Sequence, residues 1–185
     1  MKTAGILALQ GDFEAHRKAI ERAGGHAIEV RTLADLERCA GLIVPGGEST
    51  TMLKLLDQEG LTEPLTRFSH HKPIYGSCAG AILLAREVTH PTQPSLGLMD
   101  ITIERNAYGR QIDSRIASLP MPEGGNLEAV FIRAPIIRRL GPESSVLAQY
   151  NRDPVWVEQG LIMVTTFHPE LTGDLRVHRR FLERL

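Results

Sequence analysis

Cysteine is scarce in this sequence: only Cys39 and Cys78 occur in 185 residues. Two distant cysteines make no disulfide framework, and neither has a metal-ligating neighbour at the usual spacing, so a reducing, cytoplasmic setting is expected. Charge of one sign is lacking too. With 21 basic against 22 acidic residues, a formal net charge of -1 and no basic run, nothing marks a nucleic-acid footprint. Long apolar runs are absent: none approaches the roughly 20 residues that cross a bilayer. The apolar stretch 4–9 near the start is followed at once by Gln10, Asp12 and Glu14, which argues against a signal peptide. There is no internal repeat, low-complexity segment or interdomain linker.

What remains is an ordinary globular composition, 42% hydrophobic and 23% charged, in a length that suits one well-packed domain spanning residues 1–185. Short apolar runs alternate with amphipathic segments through the first half. Residues 4–9, 27–30, 41–44 and 73–76 read as strands, the third of them (GLIV) apolar throughout, as buried parallel strands are. Between and after them, residues 13–23, 33–39, 49–58 and 79–87 read as helices, with Gly24-Gly25 stopping the first and Ser49 or Thr50 capping the third. Residues 61–71 continue helically with a break near Pro64. This alternation predicts an α/β fold, a three-layer, doubly wound, mostly parallel sheet with helices on both faces. The second half is different. Residues 99–105, 127–132, 146–150, 155–158 and 161–167 read as short strands separated by Pro- and Gly-rich turns, some of them antiparallel, before a closing helix over 174–185.

Three stretches carry chemistry. In Tyr75-Gly76-Ser77-Cys78-Ala79-Gly80, a strand runs into a helix through Gly-x-Cys-x-Gly, the form of a nucleophile elbow. A nucleophile in so tight a turn needs neighbours almost without side-chain bulk, and a thiol at a helix N-terminus is favoured as thiolate. The plainer reading of Cys78 is a small buried hydrophobe. The second stretch is Thr166-Phe167-His168-Pro169-Glu170, just past a buried strand. Pro169 pushes His168 into an extended conformation, where residues i and i+2 share a side, so Glu170 can orient the ring that serves as base to Cys78. The plainer reading of this stretch is a surface turn with a charged flank. Of the other histidines, His16 falls on the apolar face of the first helix and reads as a satisfied core residue; His26, His70, His71, His90 and His178 read as solvated. The third stretch, Pro45-Gly46-Gly47-Glu48-Ser49, is at its simplest a turn, but it also suits close backbone approach to a ligand. Both loops would lie at carboxyl ends of parallel strands, where such sheets bind ligands.

Taken together these pieces resemble the class I glutamine amidotransferases. The strings ALQGDFEAH (8–16), LIVPGGESTTM (42–52), YGSCAGAILLA (75–85), ERNAYGRQIDS (104–114), FIRAP (131–135) and TFHPELTGD (166–174) are similar to the glutaminase subunits of pyridoxal 5'-phosphate synthases over nearly the whole chain. The resemblance implies a Cys78–His168–Glu170 triad, glutamine binding by Gly47, Glu48, Ser49, Arg105, Ile132 and Arg133, and backbone oxyanion donors at Gly47 and Ala79. A guanidinium fork at Arg105 would suit an α-carboxylate. It further implies hydrolysis of the L-glutamine side-chain amide with no metal or organic cofactor. A (β/α)8 pyridoxal 5'-phosphate synthase partner, on a separate chain and assembled as a ring carrying glutaminases, would take up the ammonia and be needed for full activity. Two positions depart from the family pattern: Ser77 stands where threonine is more usual, and Arg115 where an aromatic residue is, near Arg110. The alternatives are a cysteine hydrolase or peptidase on the same scaffold, which PGGES and ERNAYGR disfavour, and a non-catalytic regulator of the synthase.

Overall fold

The computed structural model describes residues 2–106 and 114–185. Residues 107–113 of the ERNAYGRQIDS string, Arg110 among them, lie outside the described residues. Seven strands form the main sheet. β1 (Thr3–Leu7), β2 (His26–Val30), β3 (Gly41–Val44) and β4 (Ile74–Ser77) run parallel, while β10 (Ser145–Tyr150), β11 (Asp153–Gln159) and β12 (Ile162–Thr165) complete it in the order β10-β11-β12-β4-β3-β1-β2. β12 is parallel to β4, whereas β10 and β11 are antiparallel additions at one edge. The expected mostly parallel sheet with antiparallel strands from the second half is therefore present.

Period-two alternation gives the sheet two buried faces. Leu42 and Val44 of β3, Ile74 of β4 and Val164 of β12 pack on one side with α2 (Leu33–Glu37), α3 (Ser49–Gln58), α4 (Thr62–Ser69) and α5 (Ala79–Leu84) through Leu36, Met52, Leu65 and Ile82. Ile43, Tyr75 and Met163 point the other way and meet Ile20 of α1 (Phe13–Arg22) and Val177 and Phe181 of α6 (Arg176–Arg184). Each such fully buried side chain contributes about 1.5–3 kcal/mol. The near-continuous apolar reading of β3 and β4 is the direct result of being covered twice.

Four details depart from the sequence reading. The cap of α3 is neither Ser49 nor Thr50 but Glu48, whose carboxylate accepts from the Thr50 and Thr51 amides at 3.3 and 2.8 Å. Pro64 does not break α4, because it sits in the first turn, where its missing N–H has no intrahelical partner to lose. The helix expected over 79–87 stops at Leu84. There the β-branched Val88 and Thr89 favour extended chain, and β5 (Ala85–Thr89) pairs with β6 (Met99–Glu104), which β9 (Ile136–Leu140) joins as the third strand of a small sheet. Lastly, β7 (Ser114–Pro120) pairs with β8 (Asn126–Ile132) as a separate hairpin.

Candidate active site

β4 delivers Cys78. The cysteine occupies φ 49° and ψ -105°, in the left-handed half of backbone space that non-glycine residues avoid, between the last strand residue and the first turn of α5. Two glycines make this turn possible. A Cβ at Gly80 would lie 2.0 Å from the Val44 carbonyl oxygen, and one at Gly76 would lie 2.7 Å from the Gly80 backbone. The strand and helix thus approach as closely as backbones allow, and Gly-x-Cys-x-Gly is a steric requirement of the elbow.

β12 delivers the histidine. It pairs with β4 in a register that sets Thr165 against Ser77, and the Cys78 amide donates to the Thr165 carbonyl at 2.8 Å. His168 follows three residues later, its amide held by the Val130 carbonyl at 2.8 Å. The expectation of extended chain through Pro169 is corrected: residues Pro169–Leu171 form a 3-10 turn. The outcome is the expected one by another route, since His168 Nδ1 and Glu170 Oε1 lie 2.7 Å apart. Glu170 has a fully buried side chain and His168 is 5% exposed.

Electrostatics ties the three residues together. Burial disfavours the His168 imidazolium, but hydrogen bonds to Cys78 and Glu170 and the negative charge of both as thiolate and carboxylate outweigh it and raise its pKa to about 10. Burial also disfavours the Glu170 carboxylate, yet the neighbouring imidazoles of His16 and His168 hold its pKa near 2. Because burial lowers the pKa of His16, the lasting cationic partner of Glu170 is His168.

A cavity of about 480 Å³ opens over the thiol, and Gly47, Glu48, Ser49, Cys78, Ala79, Arg105, Ile132, Arg133 and His168 all line it. The structure therefore gathers every residue singled out in the sequence except Glu170, which stands behind His168. The loop after β3 forms one wall: a Cβ at Gly46 would lie 2.6 Å from the His168 ring, so that glycine lets the imidazole lie flat against the backbone. Arg133 closes β8 with φ 44°, and the Ile132 carbonyl is 3.9 Å from Cys78 Sγ. Arg105 enters from the end of β6, its amide held by the Thr89 carbonyl at 2.9 Å and its Nη2 3.7 Å from Glu48 Oε1. The Glu48 carboxylate is largely occupied with capping, and the Thr50 and Thr51 hydroxyls and amides hold its pKa near 2 despite the modest opposing effect of burial.

Two polar residues escaped the sequence reading. The Gln10 carboxamide oxygen accepts from the Glu48 amide at 2.9 Å and braces the glycine loop. Gln93, 9% exposed, accepts through Oε1 from the Arg105 guanidinium and from the Ser49 hydroxyl, the latter at 3.1 Å. Gln10 had a detectable signal, since it directly follows a buried strand at the ligand-binding edge; Gln93, between two prolines in HPTQP, had none. His178 is the other correction: it is fully buried on α6, because its helix face turns toward Tyr75 and His16. Asp12, His168 and Glu170 are the cluster of metal-ligating type among the described residues, within 4.8 Å of one another, but the hydrogen bond between His168 and Glu170 already occupies two of its members. Cys39 and Cys78 are both free and buried. No helix among the described residues is long and apolar enough to cross a membrane.

A strained cysteine elbow and an acid-backed histidine on adjacent strands, at the carboxyl edge of a doubly wound sheet, are the arrangement of class I glutamine amidotransferases. More narrowly, the chain belongs to the SNO glutamine amidotransferase family, which it matches over residues 6–185. It is 57% identical over 192 residues to the pyridoxal 5'-phosphate synthase subunit PdxT of Solibacter usitatus, covering 100% of both chains. The PdxT of Koribacter versatilis is 52% identical, covering 97% of this chain and 93% of that one. Among solved structures, a glutamine amidotransferase superposes with a TM-score of 0.92 at 47% identity, covering 97% of each chain.

Proposed function

We propose that residues 1–185 form a single glutaminase domain that supplies ammonia to a pyridoxal 5'-phosphate synthase. The observation that carries this reading is the pairing of β4 with β12, which sets Cys78 beside a His168 already bonded to Glu170. Glutamine enters the cavity with its α-carboxylate toward Arg105, which Gln93 anchors, and its amino-acid end along Gly47–Ser49, Ile132 and Arg133. The Cys78 thiolate attacks the carboxamide carbon, and the Gly47 and Ala79 amides receive the charge that develops on oxygen. His168 gives its proton to the departing ammonia, leaving a thioester on Cys78. It then takes a proton from water, whose oxygen attacks the thioester carbon and releases glutamate and the thiolate. Glu170 keeps Nδ1 protonated and faces the imidazolium throughout.

Free ammonia is largely protonated at neutral pH and is then no nucleophile, so its value depends on an acceptor site nearby. The partner fitting this chemistry is the (β/α)8 synthase subunit, in a hetero-oligomer of several copies of each chain, in the cytoplasm. The names of the two relatives above support that assignment. The test is Cys78→Ala assayed with the synthase subunit: glutamine-dependent pyridoxal 5'-phosphate formation is expected to disappear, while formation from added ammonium persists. Continued turnover of glutamine by this variant would remove the nucleophile assignment.

A further inference from the structure

Behind the triad lies a polar group that the mechanism above leaves idle. His16 of α1 has no exposed surface. Its Nε2 is 2.9 Å from Ser77 Oγ and 3.3 Å from Glu170 Oε2, and its Nδ1 is 3.0 Å from His178 Nε2. Glu170 Oε2 is buried without a hydrogen-bond partner, and the imidazole lies 3.3 Å from it. A hydrogen on His16 Nδ1 would make His178 Nε2 the acceptor and leave an N–H on the partnerless His178 Nδ1, so the hydrogen of His16 is on Nε2. Burial keeps the ring neutral. Nδ1 is therefore bare and accepts from His178 Nε2–H. His178, whose pKa burial drops to about 3, is neutral too and leaves its own Nδ1 bare. Each proton has one consistent place, and the single loss is an unused acceptor, cheaper than an orphaned N–H.

We infer that His16 is a positioning residue for the triad, tying the second oxygen of Glu170 to Ser77, the residue immediately before the nucleophile. Oε1 steers the base, Oε2 is steered by His16, and the same imidazole edge is fixed to the strand end that presents Cys78. The hydroxyl of Ser77, the position that departs from the family pattern, is the part this contact uses, and serine supplies it as threonine does. The inference rests on the triad reading above and extends it one residue inward, as the partners behind site residues commonly fix the geometry of those in front.

The groups facing His16 are Glu170 and His168 from the turn after β12, His178 from α6, Tyr75 from β4, and Asp12 just ahead of its own helix. In a His16→Leu variant the second oxygen of Glu170 faces carbon in place of the imidazole 3.3 Å away, so its charged form is less favoured and it gains a proton at higher pH. Ammonia release from glutamine, assayed in the complex with the synthase subunit, is expected to show kcat lower by roughly ten- to hundredfold with KM nearly unchanged. The acid limb of kcat/KM moves to higher pH, and His16→Gln, whose side-chain amide reaches the same oxygen with an N–H, restores both. Equal kcat and acid limb in all three proteins would overturn the inference, as would an equal loss in both variants with the limb unmoved, which marks mere core filling. Histidine-selective 15N NMR of the wild-type protein gives a check that needs no variant: a neutral Nε2–H ring at position 16 is expected at pH 7, and an Nδ1–H or cationic ring overturns the assignment. Retained turnover by Cys78→Ala in the same assay would instead strike at the triad, and the role of His16 would fall with it.

Discussion

Gln93 is not part of the cavity wall over Cys78 and His168, yet one carboxamide oxygen holds both Arg105 and Ser49, two of the side chains that meet the amino-acid end of glutamine in the proposed complex. Replacing it by leucine leaves a guanidinium and a hydroxyl without their buried acceptor. Because this contact serves bound substrate and transition state alike, Gln93→Leu is expected to raise KM about tenfold and leave kcat nearly intact, as steady-state glutaminase kinetics will show. Legibility at this scale followed chemistry. Cys78, His168 and Glu170 stood out because their neighbours are sterically odd: glycines around the one, a proline between the others. Gln93 and His178 did not, because each acts through a partner far away in the chain, and a lone glutamine or helical histidine carries no local mark of it.

Among the elements, α3 shows how one residue serves two ends. Glu48 sits in the cavity wall but spends its oxygens on the amides and hydroxyls of Thr50 and Thr51. Glu48→Ala is expected to destabilise the protein by about 1 kcal/mol in urea denaturation, the usual scale of a lost cap. Its folded pKa near 2 lies below the ordinary 4.5, so the cap's contribution is complete above pH 4.5 and fades as pH falls toward 2; the gap between variant and wild type should close over that interval. The helices and central strands were readable because burial on one stripe or both faces imposes a period. The hairpin of β7 and β8 was half-legible: β8 alternates cleanly, whereas β7 is exposed along most of its length, Ile116 at 71%, and offers no pattern. β5 was read as helix because its first residue continues the apolar run of α5; pairing with a strand some ten residues on decided otherwise, and such pairing leaves no trace in a local window.

For the molecule as a whole, the two buried neutral histidines set an unusual pH response. His178 binds a proton near pH 6.5 when unfolded but only near pH 3 when folded. The unfolded chain thus holds more protons between these values, and stability falls as pH drops through that window, starting well above the carboxylate range. Melting temperature measured from pH 7 to pH 4 is expected to decline more steeply for the wild type than for His178→Phe, which cannot take up that proton. The opposing pair, Glu170 ionised down to about 2 and His168 protonated up to about 10, keeps its mutual attraction across the whole range.

The parallel pairing of Thr165 with Ser77 has a consequence for how this architecture can change over time. Nucleophile and base each follow the last rung of one ladder, so they are brought together by two strands roughly 4.8 Å apart rather than by the length of chain between them. The small sheet, the hairpin and the edge strands all lie in that intervening stretch, and the turns between them can lengthen or shorten so long as Gln93, Arg105, Val130, Ile132 and Arg133 keep their places at the site. A drift of one rung, by contrast, would part the pair and turn every side chain of the shifted strand to the opposite face.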